Sequence, residues 1–229
     1  MPLLSPFETE ALLLSLKVSA TAVAFSLPLG ILVAWVLART DFPGKDIFNA
    51  LVHLPLVLPP VVVGYLLLVL LGRRGLIGGW LDAHLGIVIA FTWTGAAVAA
   101  AVMAFPLMVR AIRLSLETVD RRLEQVARTL GASPLRVMLS VTLPLTLPGI
   151  VAGVALAFAR CLGEFGATIT FVSNIPGVSR TLPLALYTAI NTPGGEADAA
   201  RLVVISLVLA FVAIGLSEVM ARRVARMVA

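Results

Sequence analysis

The sequence predicts an all-α, polytopic membrane protein of about five transmembrane helices, and three observations carry that prediction. Of 229 residues, 60% are hydrophobic and only 13% charged, against roughly half apolar and a quarter charged in a soluble domain. Five apolar stretches, near 11–38, 47–71, 86–109, 146–172 and 202–221, match the roughly 20 residues that a spanning helix needs. The basic residues are also unevenly placed. With the N-terminus outside, inside-facing segments hold Arg39, Lys45, Arg110, Arg113, Arg121, Arg122, Arg128, Arg136, Arg222, Arg223 and Arg226. Outside segments hold only Arg73, Arg74, Arg180 and Arg201. This asymmetry predicts an outside N-terminus and an inside C-terminus. The net charge of +5 is then a topological signal and not a nucleic-acid footprint. Residues 1–229 read as a single transmembrane domain.

The first stretch is long for one span, so it is expected to tilt or to extend beyond the hydrocarbon. Pro28-Leu29-Gly30 is expected to kink or loosen it midway. Glu8 and Glu10 precede it where a signal peptide would carry basic residues, which argues against a cleaved signal. Asp41-Phe42-Pro43-Gly44 reads as a turn on the inside. The second stretch contains His53, Pro55, Pro59 and Pro60, and its prolines remove backbone donors and forbid a straight helix. Two readings stand for them: a break inside the membrane, satisfied by neighbouring helices or a water-lined cavity, or prolines in the interfacial zone. His53 reads as a polar anchor near the inner interface.

Residues 72–85, GRRGLIGGWLDAHL, read as an outer loop with Trp80 at an interface. In the third stretch Gly95 precedes AAVAAAVMA, a small-residue face that admits another helix closely. Pro106 is expected to end its regular part. Cys161, the only cysteine, reads as a packing residue, and no cysteine–histidine cluster exists for a metal. Thr181 is expected to cap a short helix from Leu182 to Ile190, with Pro183 in its first turn. Nine residues cannot cross a bilayer, so this helix is expected to be interfacial or partly inserted.

The polar, basic segment from Arg110 to Pro144 interrupts this pattern. Val119, Leu123, Val126 and Leu130 recur with the spacing of one helix face. The first helix is expected from about Asp120, its candidate cap, to Leu130. Gly131 suits the left-handed position that ends a helix. Ser133 caps a second helix with Pro134 at its first position. Such a helix-turn-helix reads as a docking surface for a soluble partner, or as an amphipathic helix lying on lipid headgroups.

Arg160 and Glu164 are the opposite-sign pair inside a span, four residues apart and so expected to share one helix face. Such charges face protein or water. Arg160 either attracts a passing anion or forms an ion pair that holds helices in register. Beyond them Gly163, Gly166, Thr168, Thr170, Ser173 and Asn174 are small or polar. Their hydroxyl and amide donors are candidate pathway or gate groups, or the small residues serve helix packing.

The basic segment resembles importer-type permeases of ABC transporters. In that family the cytoplasmic loop carries E-A-A, three residues, G, nine residues, I, one residue, L-P. Here Gln125-Val126-Ala127, Gly131 and Val141-Thr142-Leu143-Pro144 keep that spacing, with Glu124 one position early as a candidate acidic contact. HLPLVLPPVVVGYLLL, AFPLMVRAIR, LPLTLPGI and LGEFGATITFVSNIPG resemble the molybdate-transporting branch of the family.

The resemblance implies a multi-pass subunit of the bacterial cytoplasmic (inner) membrane. It implies a homodimer around one pathway, two cytoplasmic ATPase subunits and an external molybdate-binding protein. Gln125, Ala127, Leu130, Gly131, Ala132, Ser133 and Pro134 would form the ATPase-coupling turn. No cofactor is expected on this chain, and ATP and magnesium would sit on the partner. Consistently, no G-x-x-x-x-G-K-[ST] loop is present. Two other classes remain: a small secondary oxyanion transporter working without an ATPase, and an intramembrane enzyme. For the latter, His53, His84, Cys161 and Glu164 show no catalytic spacing.

Overall fold

The computed structural model describes residues 4–228, without the side chains at 217, 218, 221, 222 and 224–228. Arg222 and Arg226, counted above among the inside charges, thus lie outside the described side chains. All regular secondary structure among the described residues is helical. Helix α1 (Pro6–Arg39) starts on a capping box in which Ser5 and Glu8 each accept the other's backbone N–H. Its 34 residues measure about 51 Å, longer than a hydrocarbon core of about 30 Å. The helix runs through Pro28 without interruption.

After a turn ending at Gly44, helices α2 (Lys45–Val57) and α3 (Pro60–Leu71) meet at 112°. The span expected over 47–71 is therefore two helices. Leu58, preceding a proline, is extended at φ −70°, ψ 141°. Pro60 then starts α3, where its missing N–H costs nothing. Residues expected as a loop form α4 (Leu76–Leu85), closed by Gly86 in the left-handed conformation. On it Trp80, half exposed, stacks on His84 with ring centroids 5.0 Å apart.

Helix α5 (Trp93–Thr118) is capped by Thr92, whose Oγ1 accepts from Gly95 N. It starts later than the expected residue 86, because 86–92 is non-helical, and it continues past Pro106 to Thr118. Pro106 is thus an internal residue and not a terminus. Arg110 to Thr118, expected to begin a loop, extend the span. Helix α6 (Arg121–Thr129), a turn, α7 (Pro134–Val137), a π-turn (Met138–Thr142) and α8 (Leu143–Leu162) follow. The expected span 146–172 breaks after Leu162, and α9 (Gly166–Val172) is separate. Short α10 (Leu182–Ile190) begins after Thr181 as expected, although the Thr181 hydroxyl caps nothing. Helix α11 (Glu196–Val228) is the last described element.

Among the described residues, four helices are long and apolar enough to cross a membrane: Pro6–Arg39, Trp93–Thr118, Pro134–Leu162 and Glu196–Leu216; the bent α2–α3 pair is either a fifth, broken span or a re-entrant loop. α5 is the hub, packed on α1 and α8, with Met108, Val109 and Ile112 fully buried. Its alanines Ala96, Ala97, Ala99, Ala100 and Ala104 are buried too, so the small-residue face does admit close neighbours. A second core joins α1, α10 and α11 through Ala11, Leu182, Ala185, Ala189 and Leu202. Beside it Arg201 forks onto buried Glu8 at 2.6 and 2.9 Å, and Ser15 Oγ accepts from Leu182 N.

Candidate functional site

Two regions hold the candidate residues. At the basic end of the bundle, Asp120 caps α6 by accepting from Arg122 N at 2.9 Å. Gly131 adopts φ +86° and reverses the chain, while Ala132 N donates back to Ala127 O at 3.1 Å. This is the glycine-terminated helix end expected from the sequence. Ser133 Oγ accepts from Arg136 N, and Pro134 opens α7.

The tip is solvent-facing: Leu130 is 83% exposed, and Gln125, Gly131, Ser133 and Pro134 are also exposed. Ala127 and Ala132 are half-buried. Of the apolar stripe only Val119 is buried; Leu123, Val126 and Leu130 are exposed. Glu124 points the other way. Its Oε1 lies 3.0 Å from Arg39 Nη2 and accepts from Thr142 Oγ1 at 2.9 Å. Beside the turn lies a cavity of about 530 Å³, bordered by Trp35, Arg121, Gln125, Leu135 and Met138.

The second region is the break between α8 and α9. Arg160 and Glu164 do pair, at 2.6 Å, but not along one helix as expected, because α8 ends at Leu162. Gly163 and the apolar-flanked Glu164 leave the helix there. Glu164 also accepts from Ala167 N at 2.8 Å and so closes the open N-terminus of α9. One carboxylate, 3% exposed, thus neutralises Arg160 and satisfies an orphan donor.

Of the other pathway candidates, Thr168 is buried and Thr170 Oγ1 donates to Gly166 O within its own helix. Ser173, at φ +63°, ends α9. Asn174 donates to Leu184 O and to Thr188 Oγ1 and accepts from Arg180 Nε. These groups are brought together around one break, with several donors engaged internally. α9 lies on α3, the helix after the other break. A Cβ on Gly64 would sit 2.5 Å from Ala167 O, so only glycine permits this approach. At the break itself, Gly166 lies against Pro60, while Pro59 and Pro60 are exposed.

Residues 26–226 match the family described as the binding-protein-dependent transport system inner membrane component. The chain belongs to that family. This inner membrane component is 66% identical over 215 residues, 94% of both chains, to the molybdenum transport system permease protein ModB of Escherichia coli (strain K12). It is 56% identical over 216 residues, again 94% of both, to the protein of the same name from Haemophilus influenzae. A solved bacterial alginate ABC transporter, in complex with an alginate pentasaccharide-bound periplasmic protein, shares the fold. Its TM-score is 0.77 at 18% identity, over 96% of this chain and 80% of that one.

In this inner membrane component, sequence reasoning missed Arg39, Arg121 and Thr142 around the turn, and Gly64 beneath the break. In the sequence Arg39 and Arg121 stand only as topology signals. Thr142 sat inside the quoted motif, yet nothing local revealed its partner. The one available signal was Leu143-Pro144, since a proline interior to a helix disturbs the preceding turn.

Proposed function

We propose that this chain is the membrane-spanning permease subunit of an ATP-driven importer of molybdate. The observation that carries the proposal is the near full-length similarity to the molybdenum permease of Escherichia coli. The subunit works as a homodimer enclosing one pathway. An external binding protein delivers the oxyanion, and two ATPase subunits dock on the basic end, which faces the cytoplasm with the C-terminus.

The docking surface is the turn from Leu130 to Pro134 with Gln125, Ala127 and the apolar stripe beside it. Exposed apolar side chains of this kind are satisfied by a partner groove. When the ATPases close, both turns move; α5 and α8, which flank the segment, move with them and expose the pathway alternately to each side. The breaks α2–α3 and α8–α9 supply irregular backbone at membrane depth, where a substrate route can be lined. Thr168, Thr170, Ser173 and Asn174 belong to that route or its outer gate. Arg160, neutralised by Glu164, serves to hold the break together and not to trap the anion.

The test is uptake of radiolabelled molybdate into proteoliposomes containing this chain, its ATPase and the binding protein. Uptake is expected to need ATP and both partners, and to be competed by unlabelled molybdate. Uptake by this chain alone, driven by an ion gradient, would overturn the reading in favour of a secondary carrier.

A further inference from the structure

Three parts of the fold, distant in sequence, converge on one oxygen atom. Arg39 is the last residue of α1, Glu124 lies in the first turn of α6, and Thr142 ends the π-turn before α8. Glu124 Oε1 receives Arg39 Nη2 at 3.0 Å and Thr142 Oγ1 at 2.9 Å. The side chains of Arg39 and Glu124 are 7% and 14% exposed, so the pair is largely withdrawn from water. A second lacing runs in the opposite direction. Arg39 Nη2 also donates to Val119 O, and Arg121 Nη2 donates to Ala38 O at 3.2 Å.

The π-turn gives this junction its register. Pro144 has no N–H, and its ring crowds the carbonyl of Ser140. The helix widens ahead of it, and Leu143 N reaches back to Met138 O, five residues away. One added residue turns the preceding segment by about 100° relative to an unbroken α-helix. Thr142 is thereby aimed at α6 while the helix continues into α8. Among the described residues, buried Arg39 Nε has no hydrogen-bond partner, so Arg39 is not fully satisfied in this arrangement. Beside it the cavity of about 530 Å³ leaves the turn room to shift.

We propose that Arg39, Glu124 and Thr142 form a positioning knot that fixes the pose of the Leu130–Pro134 turn and carries its displacement into α1 and α8. Glu124 acts inward, as the strut of the turn; the exposed tip and apolar stripe act outward, toward the partner. This inference rests on the permease reading and adds the route by which the turn drives the bundle.

The knot predicts a separation of docking from coupling. In the assembled complex, Glu124→Gln keeps an oxygen for Thr142 but removes the ion pair. ATPase subunits should still co-purify and hydrolyse ATP, while molybdate imported per ATP falls about tenfold, within the range by which networked positions modulate coupling. Arg39→Gln should do the same. The double variant Arg39→Gln/Glu124→Gln leaves no unpaired buried charge, so it folds if either single does. If the residues act as one unit, its loss should be no greater than that of a single variant.

Loss of ATPase co-purification in Glu124→Gln would overturn the proposal and make Glu124 a docking contact. Losses that multiply in the double variant, or unchanged import per ATP, would overturn it too. Wild-type complex in the same vesicles reports separately on the permease reading. If wild type imports no molybdate with ATP, that reading fails, whereas wild-type import with an unaffected Glu124→Gln fails only the knot.

Discussion

The Glu164 carboxylate is divided between a charge, Arg160 at 2.6 Å, and a helix end, Ala167 N at 2.8 Å. Because Glu164 is buried and Arg160 is 28% exposed, loss of the arginine strands a carboxylate without its counter-charge. Arg160→Gln should cost about 3 kcal/mol, the lower end for breaking a buried pair, and appear as a lower melting temperature in detergent. Arg160→Gln/Glu164→Gln should recover part of that loss. Molybdate uptake per folded molecule should stay near wild type in Arg160→Gln; a collapse of uptake with an unchanged melting temperature would put Arg160 on the anion's route. At this scale the sequence was legible where chemistry is local. Asp120, Gly131, Ser133 and Pro134 each act on backbone within three residues, so their types alone specified the turn. Glu124 was not, because its partner Arg39 lies on another helix. Asn174 was singled out for donors that could face a pathway, yet those donors are spent on α10.

Among the elements, the unbroken helices were read well and the broken ones poorly. Hydropathy sums apolar content and is blind to a change of direction, so 47–71 and 146–172 each read as one span. The prolines Pro59 and Pro60 flagged the first break through their missing donors. The second break, at Gly163-Glu164-Phe165, carried no such signal, and its cause is the carboxylate leaving the helix to cap α9. The two breaks are one structural unit because α3 and α9 touch at glycine. A Cβ at Gly64 would approach Ala167 O to 2.5 Å and Thr170 Cβ to 2.9 Å. Backbone cannot give way like a flexible side chain, so Gly64→Val should push α3 from α9. Overpacking of this kind costs roughly 1–3 kcal/mol. The expected result is a lower melting temperature together with lost uptake. Unchanged melting and transport would mean that the α3–α9 contact does not form in the assembled protein.

For the molecule as a whole, contacts at the two ends of α1 and α5 fix the relative direction of these helices. Arg39 at the end of α1 bonds Val119 O just after α5. Lys17, in the first half of α1, lies 3.7 Å over the ring of Trp93 at the start of α5. The two helices therefore run parallel. Since α1 finishes and α5 begins at opposite ends of the bundle, the bent α2–α3 pair with α4 must carry the chain across between them. α8 then leaves the basic end, where Thr142 bonds Glu124, and α11 begins beside Glu8, where Arg201 is held. We read that sequence of ends as five crossings, with the termini on opposite sides. It agrees with the charge asymmetry, which arises from lipid and translocation physics and not from packing. Substituted cysteines test the orientation in a Cys161→Ala background, where the native thiol is buried. Thr118 and Asn191 are both exposed and lie away from the coupling turn. A membrane-impermeant maleimide should label Asn191→Cys in intact spheroplasts and Thr118→Cys only in inverted vesicles. The reverse pattern would place the Leu130–Pro134 turn outside, where no ATP is available, and would remove the basis for ATPase docking. Labelling of both in spheroplasts would put the two positions on one side and mean that Pro134–Leu162, the candidate span between them, does not cross.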